Sequence, residues 1–343
     1  MMSTRTSPRG PADPGHLPVM LAEVLTALAP ADGEVIIDGT FGGGGYTTAI
    51  LNSANCTVLG IDRDLDAIVR AEKMAQANPR LVPLLGCFGD LDILAEQAGH
   101  HAVDGVVLDI GVSSFQIDQA ERGFSFMKDG PLDMRMGGSG PSAADVVNRM
   151  SEKGLADVIF RLGEEKNSRR IARVIVQRRA QAPFETTADL AAVVEEAVGG
   201  RRGARSHPAT LTFQAIRMYV NDELGELARG LRAAERILKP GGRLVVVTFH
   251  SLEDRLVKQW LRARAGAVPG GSRHMPLMSK GPQPAFEMQE NKAVQPSEKE
   301  VETNPRARSA KLRAAIRTNA DAALDEASDG MNLPPLAELE KSR

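Results

Sequence analysis

The sequence predicts an α/β fold in which a parallel sheet is covered by helices on both faces. In the first third of the chain, near-continuous apolar runs alternate with amphipathic helical segments, and the same alternation returns after residue 207. Between the two parts lies a block with helical periodicity and no good strand pattern. Apolar runs of this kind are typical of parallel strands that are buried on both faces. We therefore expect one α/β domain that carries an all-helical insertion.

The individual elements follow from local patterns. The predicted strands are residues 35–38, 56–62, 81–86, 103–109 and 243–249. The segment LDAIVRAEKMAQA, which follows the second strand, has the spacing of an amphipathic helix. A later amphipathic helix stops at Lys239-Pro240-Gly241-Gly242, because proline and glycine just past a helix end it.

These patterns predict five segments of the chain. Residues 1–15 form a polar leader that is rich in proline and glycine, and residues 321–343 form a tail. The α/β domain comprises residues 16–117 and 208–320, and the helical insertion comprises residues 118–207.

Composition narrows the class of protein. The 343 residues carry a net charge of −2, so no global field draws the chain to a polyanion, and nucleic acid would have to bind at local patches. No apolar run approaches the ~20 residues that span a bilayer, and the leader lacks the apolar segment of a signal peptide. Cys56 and Cys87 have no metal-binding spacing and imply no disulfide scaffold. We expect a cytoplasmic protein with no membrane contact and no metal site.

Basic residues are clustered in the predicted insertion. Residues 155–181 have the spacing of a helix with one apolar and one basic face, and the basic face holds Lys166, Arg169, Arg170 and Arg173. A charged face in contact with solvent is the alternative interpretation. Two further clusters lie at Arg201, Arg202 and Arg205, and at residues 306–317.

Four consecutive glycines, residues 42–45, lie between the first predicted strand and a helical segment. Glycine is costly to order, so the run indicates a loop whose backbone N–H groups approach a ligand at a helix N-terminus. A dinucleotide fingerprint requires a third glycine where the chain has Thr47. Asp38, just before the loop, suits a ligand with an ammonium group, which favours S-adenosylmethionine over a pyrophosphate.

Asp38, Asp62 and Asp109 each close a predicted strand. The carboxyl ends of parallel strands share one sheet edge, where ligands bind, so the three acids are expected close together. Asp62 lies twenty residues after Gly42, where an acid can accept hydrogen bonds from ribose hydroxyls. Helix capping is the alternative role for each aspartate.

Several blocks together are far more specific than a strand-end aspartate. They are IDGTFGGGG, LDIGVSS, QIDQAERGFSFMKDGPLDMRM, HPATLTFQAIRMYVN, TFHSLEDR and NPRARSAKLR. In this order they resemble the bacterial RsmH (MraW) family over residues 16–319. The resemblance implies a Rossmann-like class I methyltransferase sheet and an enzyme dependent on S-adenosylmethionine. Its expected reaction is methylation of the N4 amine of a cytidine in the decoding region (P site) of 16S rRNA.

The resemblance also implies site residues. The cofactor contacts would fall on Gly44, Gly45, Tyr46, Asp62, Phe88, Asp109 and Gln116. Asp62 would hold the ribose, and Phe88 would lie against the adenine. Many relatives carry arginine in place of Gly43 and histidine in place of Tyr46, differences that we expect to tune the site. The family's inserted helical domain is thought to present the RNA, so the partner would be 16S rRNA, within the small ribosomal subunit.

The catalytic residue is left unassigned. Many amino-methyltransferases of DNA use Asp/Asn-Pro-Pro-aromatic after the fourth strand, whereas this chain has Asp109-Ile-Gly-Val-Ser-Ser. The candidates by position alone are Ser113, Ser114, Asp133 and His250. His250 could equally be a structural histidine. Neither cysteine lies beside the Asp109 loop, which disfavours covalent chemistry at a ring carbon.

Two other functions are compatible with part of the pattern. An NAD-type oxidoreductase is disfavoured by Thr47 and by the acid before the loop. A ribosome-assembly factor that binds the cofactor and RNA without turnover is disfavoured by the three intact aspartates. The sequence does not predict the oligomeric state.

Overall fold

Seven strands form one sheet in the order β3-β2-β1-β4-β5-β7-β6. The computed structural model describes residues 18–200, 206–266, 283–323 and Leu333. The strands are β1 Val35–Asp38, β2 Thr57–Asp62, β3 Leu81–Leu85, β4 Val103–Asp109, β5 Leu238–Thr248, β6 Phe286–Met288 and β7 Lys311–Arg317. Strands β1 to β5 are parallel, and β7 runs antiparallel to both of its neighbours. This order confirms the predicted α/β class and the Rossmann-like sheet.

Thirteen helices are assigned in the described residues. They are α1 Leu21–Leu28, α2 Gly45–Ser53, α3 Leu65–Ala77, α4 Leu91–Gln97, α5 Ser114–Asp118, α6 Ala143–Arg149, α7 Glu152–Gly163, α8 Ser168–Arg179, α9 Thr187–Val198, α10 Thr210–Val220, α11 Glu223–Ile237, α12 Ser251–Arg264 and α13 Glu298–Thr303. None of these helices is both long enough and apolar enough to cross a membrane.

Both faces of the sheet are buried, as the near-continuous apolar strands predict. Ile37 and Leu108 lie in the core that also contains Leu231 of α11. Ile36 and Val107, one residue earlier on the same strands, lie in the core on the other face. Because side chains alternate across a strand, a strand that is buried on both sides needs apolar residues at every position.

The sheet order places β1 beside β4, with β2 on one side and β5 on the other. The chain runs outward from this centre in both directions, which makes the carboxyl ends of β1 and β4 the topological switch point. Ligands of open α/β sheets bind at such a point, and the glycine loop follows β1 there.

The helices between β4 and β5 have a core of their own. Val146, Ile159, Ile171, Leu190 and Phe213 are buried together in it. Since Phe213 belongs to α10, we propose that the helical unit extends to the end of α10 rather than to residue 207. The predicted leader, most of the tail and the Arg201, Arg202 and Arg205 cluster lie outside the described residues.

The prediction of a single helix over residues 155–181 is wrong. Helix α7 ends at Gly163 and α8 begins at Ser168. Glu164 has a φ of 52°, and its N–H donates to the carbonyl of Ile159, which closes α7. A left-handed residue cannot continue an α-helix, so the periodic pattern covers two helices that pack against each other.

Candidate cofactor site

The glycine loop has a backbone that requires glycine at two positions. Gly42 and Gly44 have φ values of 51° and 75°, in the left-handed region that glycine adopts without steric cost. A Cβ on Gly44 would lie 2.7 Å from both the Met74 Cε and the Phe41 Cζ atoms. Gly44 directly precedes α2, so the loop delivers the chain to a helix N-terminus whose first N–H groups have no partner within the helix.

Asp62 is joined to this loop. Its Oδ2 accepts a 2.8 Å hydrogen bond from the Gly42 N–H, and its Oδ1 accepts one of 2.9 Å from the Asp64 N–H. Burial raises the pKa of Asp62 above its ordinary value. The predicted ribose-binding acid and the predicted glycine loop are therefore one rigid unit at the ends of β1 and β2.

Asp38 lies beneath the loop and is almost fully buried. Its carboxylate accepts hydrogen bonds from the Thr47 Oγ1 at 2.7 Å and from the Thr40 N–H at 3.3 Å. Burial raises its pKa to about 6, although the Thr47 hydroxyl opposes this shift. The structure thus shows Asp38 as a support of the loop and of α2, and its binding of an ammonium group stays a prediction.

Asp109 ends β4 beside this group. Its backbone N–H donates to the Thr40 Oγ1 at 2.7 Å, which links the ends of β1 and β4. The Oδ1 atom of Asp109 is buried and has no hydrogen-bond partner among the described residues. Burial, with the negative charges of Asp38 and Glu253, raises the pKa of Asp109 to about 8. A buried polar atom without a partner is costly in a folded protein, and at this sheet edge the Asp109 Oδ1 is available to bind a ligand.

The Tyr46 side chain does not face the loop. It is buried, and its hydroxyl donates to the backbone carbonyl of Val19. The side chain therefore anchors the segment before α1, and only the Tyr46 backbone, in the first turn of α2, lies at the loop.

Phe88 begins a short 3₁₀ turn after β3. Its ring packs closely against Gly230 of α11, where a Cβ atom on residue 230 would lie 2.6 Å from the Phe88 Cδ2.

Both polar atoms of the Gln116 side chain form a hydrogen bond. Its Nε2 donates to the Asp64 Oδ2 at 2.8 Å, and its Oε1 accepts from the Ser113 N–H at 3.1 Å. Arg122 also donates to the Asp64 Oδ2, at 3.0 Å. Although burial acts to raise it, the bonds from Arg122 and Gln116 hold the pKa of Asp64 below its ordinary value. Gln116 thus holds the segment after β4 against the start of α3.

Asp64 and Asn221 were not identified from the sequence as residues that support the site. Asp64 caps α3 by accepting from the Asp66 N–H, and an aspartate directly before an apolar periodic run is the signal that predicts such a cap. Asn221 Nδ2 donates to the Met134 carbonyl at 2.7 Å, and Asn221 Oδ1 accepts from the Met136 N–H at 2.8 Å. Asn221 is the last residue of the block HPATLTFQAIRMYVN, and its two bonds fix the end of the segment GFSFMKDGPLDMRM. No local sequence pattern indicates this contact.

The four candidates for the catalytic residue differ in their contacts. Ser113 caps α5 through its Oγ, and Asp133 forms a 2.6 Å ion pair with Arg135. His250 precedes α12, with its Nε2 lying 2.8 Å from the Glu253 Oε1. The Ser114 side chain lies outside the described part of the chain. Ser113 and Asp133 thus have structural partners, and no catalytic role is assigned to any of the four.

The basic residues of the insertion are exposed. Arg169, Arg170 and Arg173 lie on α8, whereas Lys166 lies in the turn before it, not on the predicted helix. Arg173 lies 3.9 Å from Glu152, a long contact between exposed side chains that contributes little stability. These four residues therefore present positive charge to solvent.

The third predicted basic cluster is only partly at the surface, where Arg306 and Arg308 are exposed. Arg313 and Arg317 are buried in β7, where Arg313 pairs with Asp254 at 2.7 Å and Arg317 donates to the Glu235 carbonyl. Buried guanidinium groups need such partners, so these residues hold β7 to α11 and α12.

The sequence profile of the MraW methylase family matches residues 13–318. The chain belongs to this family. It is 95% identical to the ribosomal RNA small subunit methyltransferase H of Hyphomonas neptunium, over 100% of both chains. It is 56% identical to the protein of that name from Caulobacter vibrioides, covering 89% of this chain and 96% of the relative. For the one from Maricaulis maris the values are 55%, 95% and 98%.

Membership of the MraW methylase family confirms the resemblance found in the sequence and establishes the cofactor, S-adenosylmethionine. The residues present fit this group. The left-handed glycines leave the backbone of the loop free of side chains, and the unpartnered Asp109 Oδ1 provides a polar atom at the switch point. A carboxylate at this edge would repel the phosphates of a dinucleotide but would attract the amino group of S-adenosylmethionine, which carries no phosphate.

Proposed function

We propose that this chain methylates the N4 amine of a cytidine in the decoding region (P site) of 16S rRNA. Its relatives carry the name ribosomal RNA small subunit methyltransferase H, which supports rRNA of the small subunit as the substrate. The observation that carries the proposal is the unpartnered Oδ1 of Asp109, beside the tetraglycine loop. When Asp109 is ionised, this oxygen can accept a hydrogen bond from an amino group, whereas a reaction at a ring carbon would need a thiolate.

The cofactor contacts that we propose are Gly44, Gly45, Tyr46, Asp62, Phe88, Asp109 and Gln116. S-adenosylmethionine supplies an electrophilic methyl group on a sulfonium centre. Gly44 and Gly45 would contribute backbone, and Tyr46 would contribute only its N–H, because its hydroxyl is bonded to Val19. Asp62 would accept from the ribose hydroxyls while the Gly42 N–H keeps its carboxylate in place. Gln116 would act by positioning the segment after β4.

The N4 amine of cytosine is a poor nucleophile because its lone pair is delocalised into the ring. The protein therefore has to orient the amine and accept a proton as the bond to the methyl group forms. The edge formed by Asp38 and Asp109 offers carboxyl groups whose raised pKa values bring them into the physiological range. A base in paired RNA would have to be extruded to reach this edge.

We propose that Lys166, Arg169, Arg170 and Arg173 bind the phosphate backbone of the rRNA. All four are exposed on the helical insertion, and no arginine among them has a short ion pair among the described residues. Phosphate contacts of this kind position the RNA without reading its sequence. The substrate would be the rRNA within the small subunit, because a chain with a net charge of −2 gains from the shape of an assembled particle. We place the reaction in the cytoplasm, where these subunits are found.

Label transfer tests the proposal. The protein is incubated with methyl-labelled S-adenosylmethionine and, separately, with small subunits or naked 16S rRNA from cells that lack the enzyme. We expect label in the RNA of the subunits, little in naked rRNA, and less label with the Asp62→Asn variant when the cofactor is below saturation. Cofactor binding without label in either RNA would overturn the proposal and favour the assembly factor.

A further inference from the structure

A second cluster of ionisable side chains lies where α10, α11 and α12 meet. Arg217 of α10, Glu223 at the start of α11, His250 after β5 and Glu253 of α12 meet there. One ligand atom each from Glu223, His250 and Glu253 lies within 4.8 Å of the other two. The cluster is largely buried, which distinguishes it from the acidic groups common on protein surfaces.

Two groups in this cluster have unused polar atoms. Glu253 has 0% side-chain exposure, and its Oε2 accepts from the Phe249 N–H at 2.9 Å, but its Oε1 has no hydrogen-bond partner. Both ring nitrogens of His250 are likewise buried without a hydrogen bond. Two of these atoms, the His250 Nε2 and the Glu253 Oε1, contact each other, and the His250 Nδ1 has no partner among the described residues, so the cluster contains buried polar atoms that a further group can bind.

The distances between the ligand atoms are compatible with one shared metal ion. The His250 Nε2 and the Glu253 Oε1 lie 2.8 Å apart and contact each other directly. Ligand atoms at about 2.0–2.2 Å from one metal ion lie about 3 Å from each other when they are adjacent in its coordination shell. The 2.8 Å spacing of the two atoms is therefore close to that of two adjacent ligands of one ion.

We propose that Glu223, His250 and Glu253 bind a divalent transition-metal ion. One imidazole and two carboxylates form a donor set for Zn²⁺ or Mn²⁺, whereas Mg²⁺ prefers oxygen alone. The sequence predicted no metal site, because the ligands are separated by up to thirty residues and only the fold brings them together.

Arg217 has a supporting role in this site. It donates to Glu223 through two bonds of 2.7 and 2.8 Å, which fix the orientation of that carboxylate. Each carboxylate oxygen keeps a second lone pair, and partners outside the metal shell commonly orient its ligands. Two carboxylates and one guanidinium leave a net charge of −1 with a neutral imidazole, which favours a cation.

The ion would connect parts of the molecule that are far apart in sequence. His250 and Glu253 lie at the junction of β5 and α12, and Glu223 begins the helix that follows α10. Because α10 packs in the core of the helical insertion, the ion would fix the insertion against the sheet edge. The ion would therefore have a structural role and would stabilise the contact between the insertion and the sheet.

The test uses the untagged full-length protein, since an affinity tag of histidines would bind metal itself. Chelator-treated protein is titrated calorimetrically with Zn²⁺, Mn²⁺ and Mg²⁺, and thermal unfolding is followed with each. His250→Gln removes the imidazole but keeps a polar side chain, and His101→Ala changes an exposed histidine as the control. Circular dichroism verifies that both variants are folded.

We expect one equivalent of Zn²⁺ or Mn²⁺ to bind to the wild type and to His101→Ala, with affinity at least ten-fold weaker in His250→Gln. A 100-fold excess of the ion over its Kd should raise the Tm by about 5 °C. Absence of stoichiometric binding would overturn the proposal, as would equal binding by His250→Gln. An equal effect of Mg²⁺ would overturn the assignment of the imidazole as a ligand.

Discussion

The N–H of Gly42 donates a 2.8 Å hydrogen bond to the carboxylate of Asp62, so the tetraglycine loop after β1 is fixed to the end of β2. The same carboxylate accepts from the Asp64 N–H, which starts α3. Loop, strand end and helix start therefore form one rigid corner at the sheet edge. A preorganised corner binds its ligand with less loss of conformational entropy than a flexible glycine run.

Gly44→Ala should weaken S-adenosylmethionine binding at least ten-fold. Its φ of 75° costs alanine about 1–2 kcal/mol, and the new Cβ would contact Met74 and Phe41 at 2.7 Å. Gly33→Ala is the matched control, because Gly33 has a φ of 81° and nothing within 4 Å of a Cβ. Calorimetric titration measures the affinity of both variants. Wild-type affinity in Gly44→Ala would contradict the proposed contact.

Asp62→Asn should weaken cofactor binding by about 1.5–3 kcal/mol, or about 10- to 100-fold, because hydrogen bonds to a charged group have this magnitude. In the variant, the side-chain NH₂ group of the new asparagine would replace one of the two acceptor oxygens, so either the Gly42 N–H or the Asp64 N–H would lose its hydrogen bond. The loop would then be held less firmly. Asp66→Asn, an aspartate with 60% side-chain exposure, serves as the control. If the two variants bind the cofactor equally, Asp62 has no special role.

The stability of the protein should fall as the pH rises from about 4 to 8 through the titration of Asp109. Its pKa is about 8 when folded and 3.8 as an ordinary value, so the folded state binds more protons in this window. Asp109→Asn carries no charge, and its free energy of unfolding should increase relative to the wild type from pH 5 to pH 9. Urea unfolding across this range measures the difference. Asp90→Asn, at an exposed aspartate, should show no such trend.

Arg169→Ala combined with Arg170→Ala should reduce RNA affinity and lower the slope of log affinity against log salt by about two, one for each lost phosphate contact. Lys73→Ala combined with Arg262→Ala removes the same charge from exposed positions on α3 and α12. Filter binding at several salt concentrations compares the pairs. If both pairs of substitutions change the slope equally, the basic residues of α8 only contact solvent and do not bind the RNA specifically.

Asn221→Ala should destabilise the fold by about 3 kcal/mol. The buried amide bonds the Met134 carbonyl and the Met136 N–H, and each group left without a partner costs about 1–3 kcal/mol. Denaturant unfolding gives the value, with Asn52→Ala as the control at an exposed asparagine of α2. A change below about 0.5 kcal/mol would mean that water replaces Asn221 at no cost.

Local patterns predicted the elements that position the site. Helix α3 spans Leu65–Ala77, as its amphipathic spacing indicates, and β1 and β2 end at the predicted aspartates. The glycine loop could be predicted because a run of glycines between a strand and a helix has few other uses. Such signals are contained within a few consecutive residues.

Contacts between distant residues could not be predicted in this way. The hydroxyl of Tyr46 bonds the carbonyl of Val19, and nothing near Tyr46 in the sequence indicates that partner. Arg313 and Arg317 read as a surface patch because their partners, Asp254 and the Glu235 carbonyl, lie far away in the chain. The break at Glu164 escaped prediction because a glutamate rarely adopts a left-handed conformation.

Mapping the methylated nucleoside tests the central claim most directly. Small subunits from cells that lack the enzyme are treated with the protein and labelled S-adenosylmethionine, and the 16S rRNA is digested and analysed by mass spectrometry. The account predicts label in N4-methylated cytidine from the decoding region. Label in a cytidine methylated at C5, or in a nucleoside outside the decoding region, would contradict it.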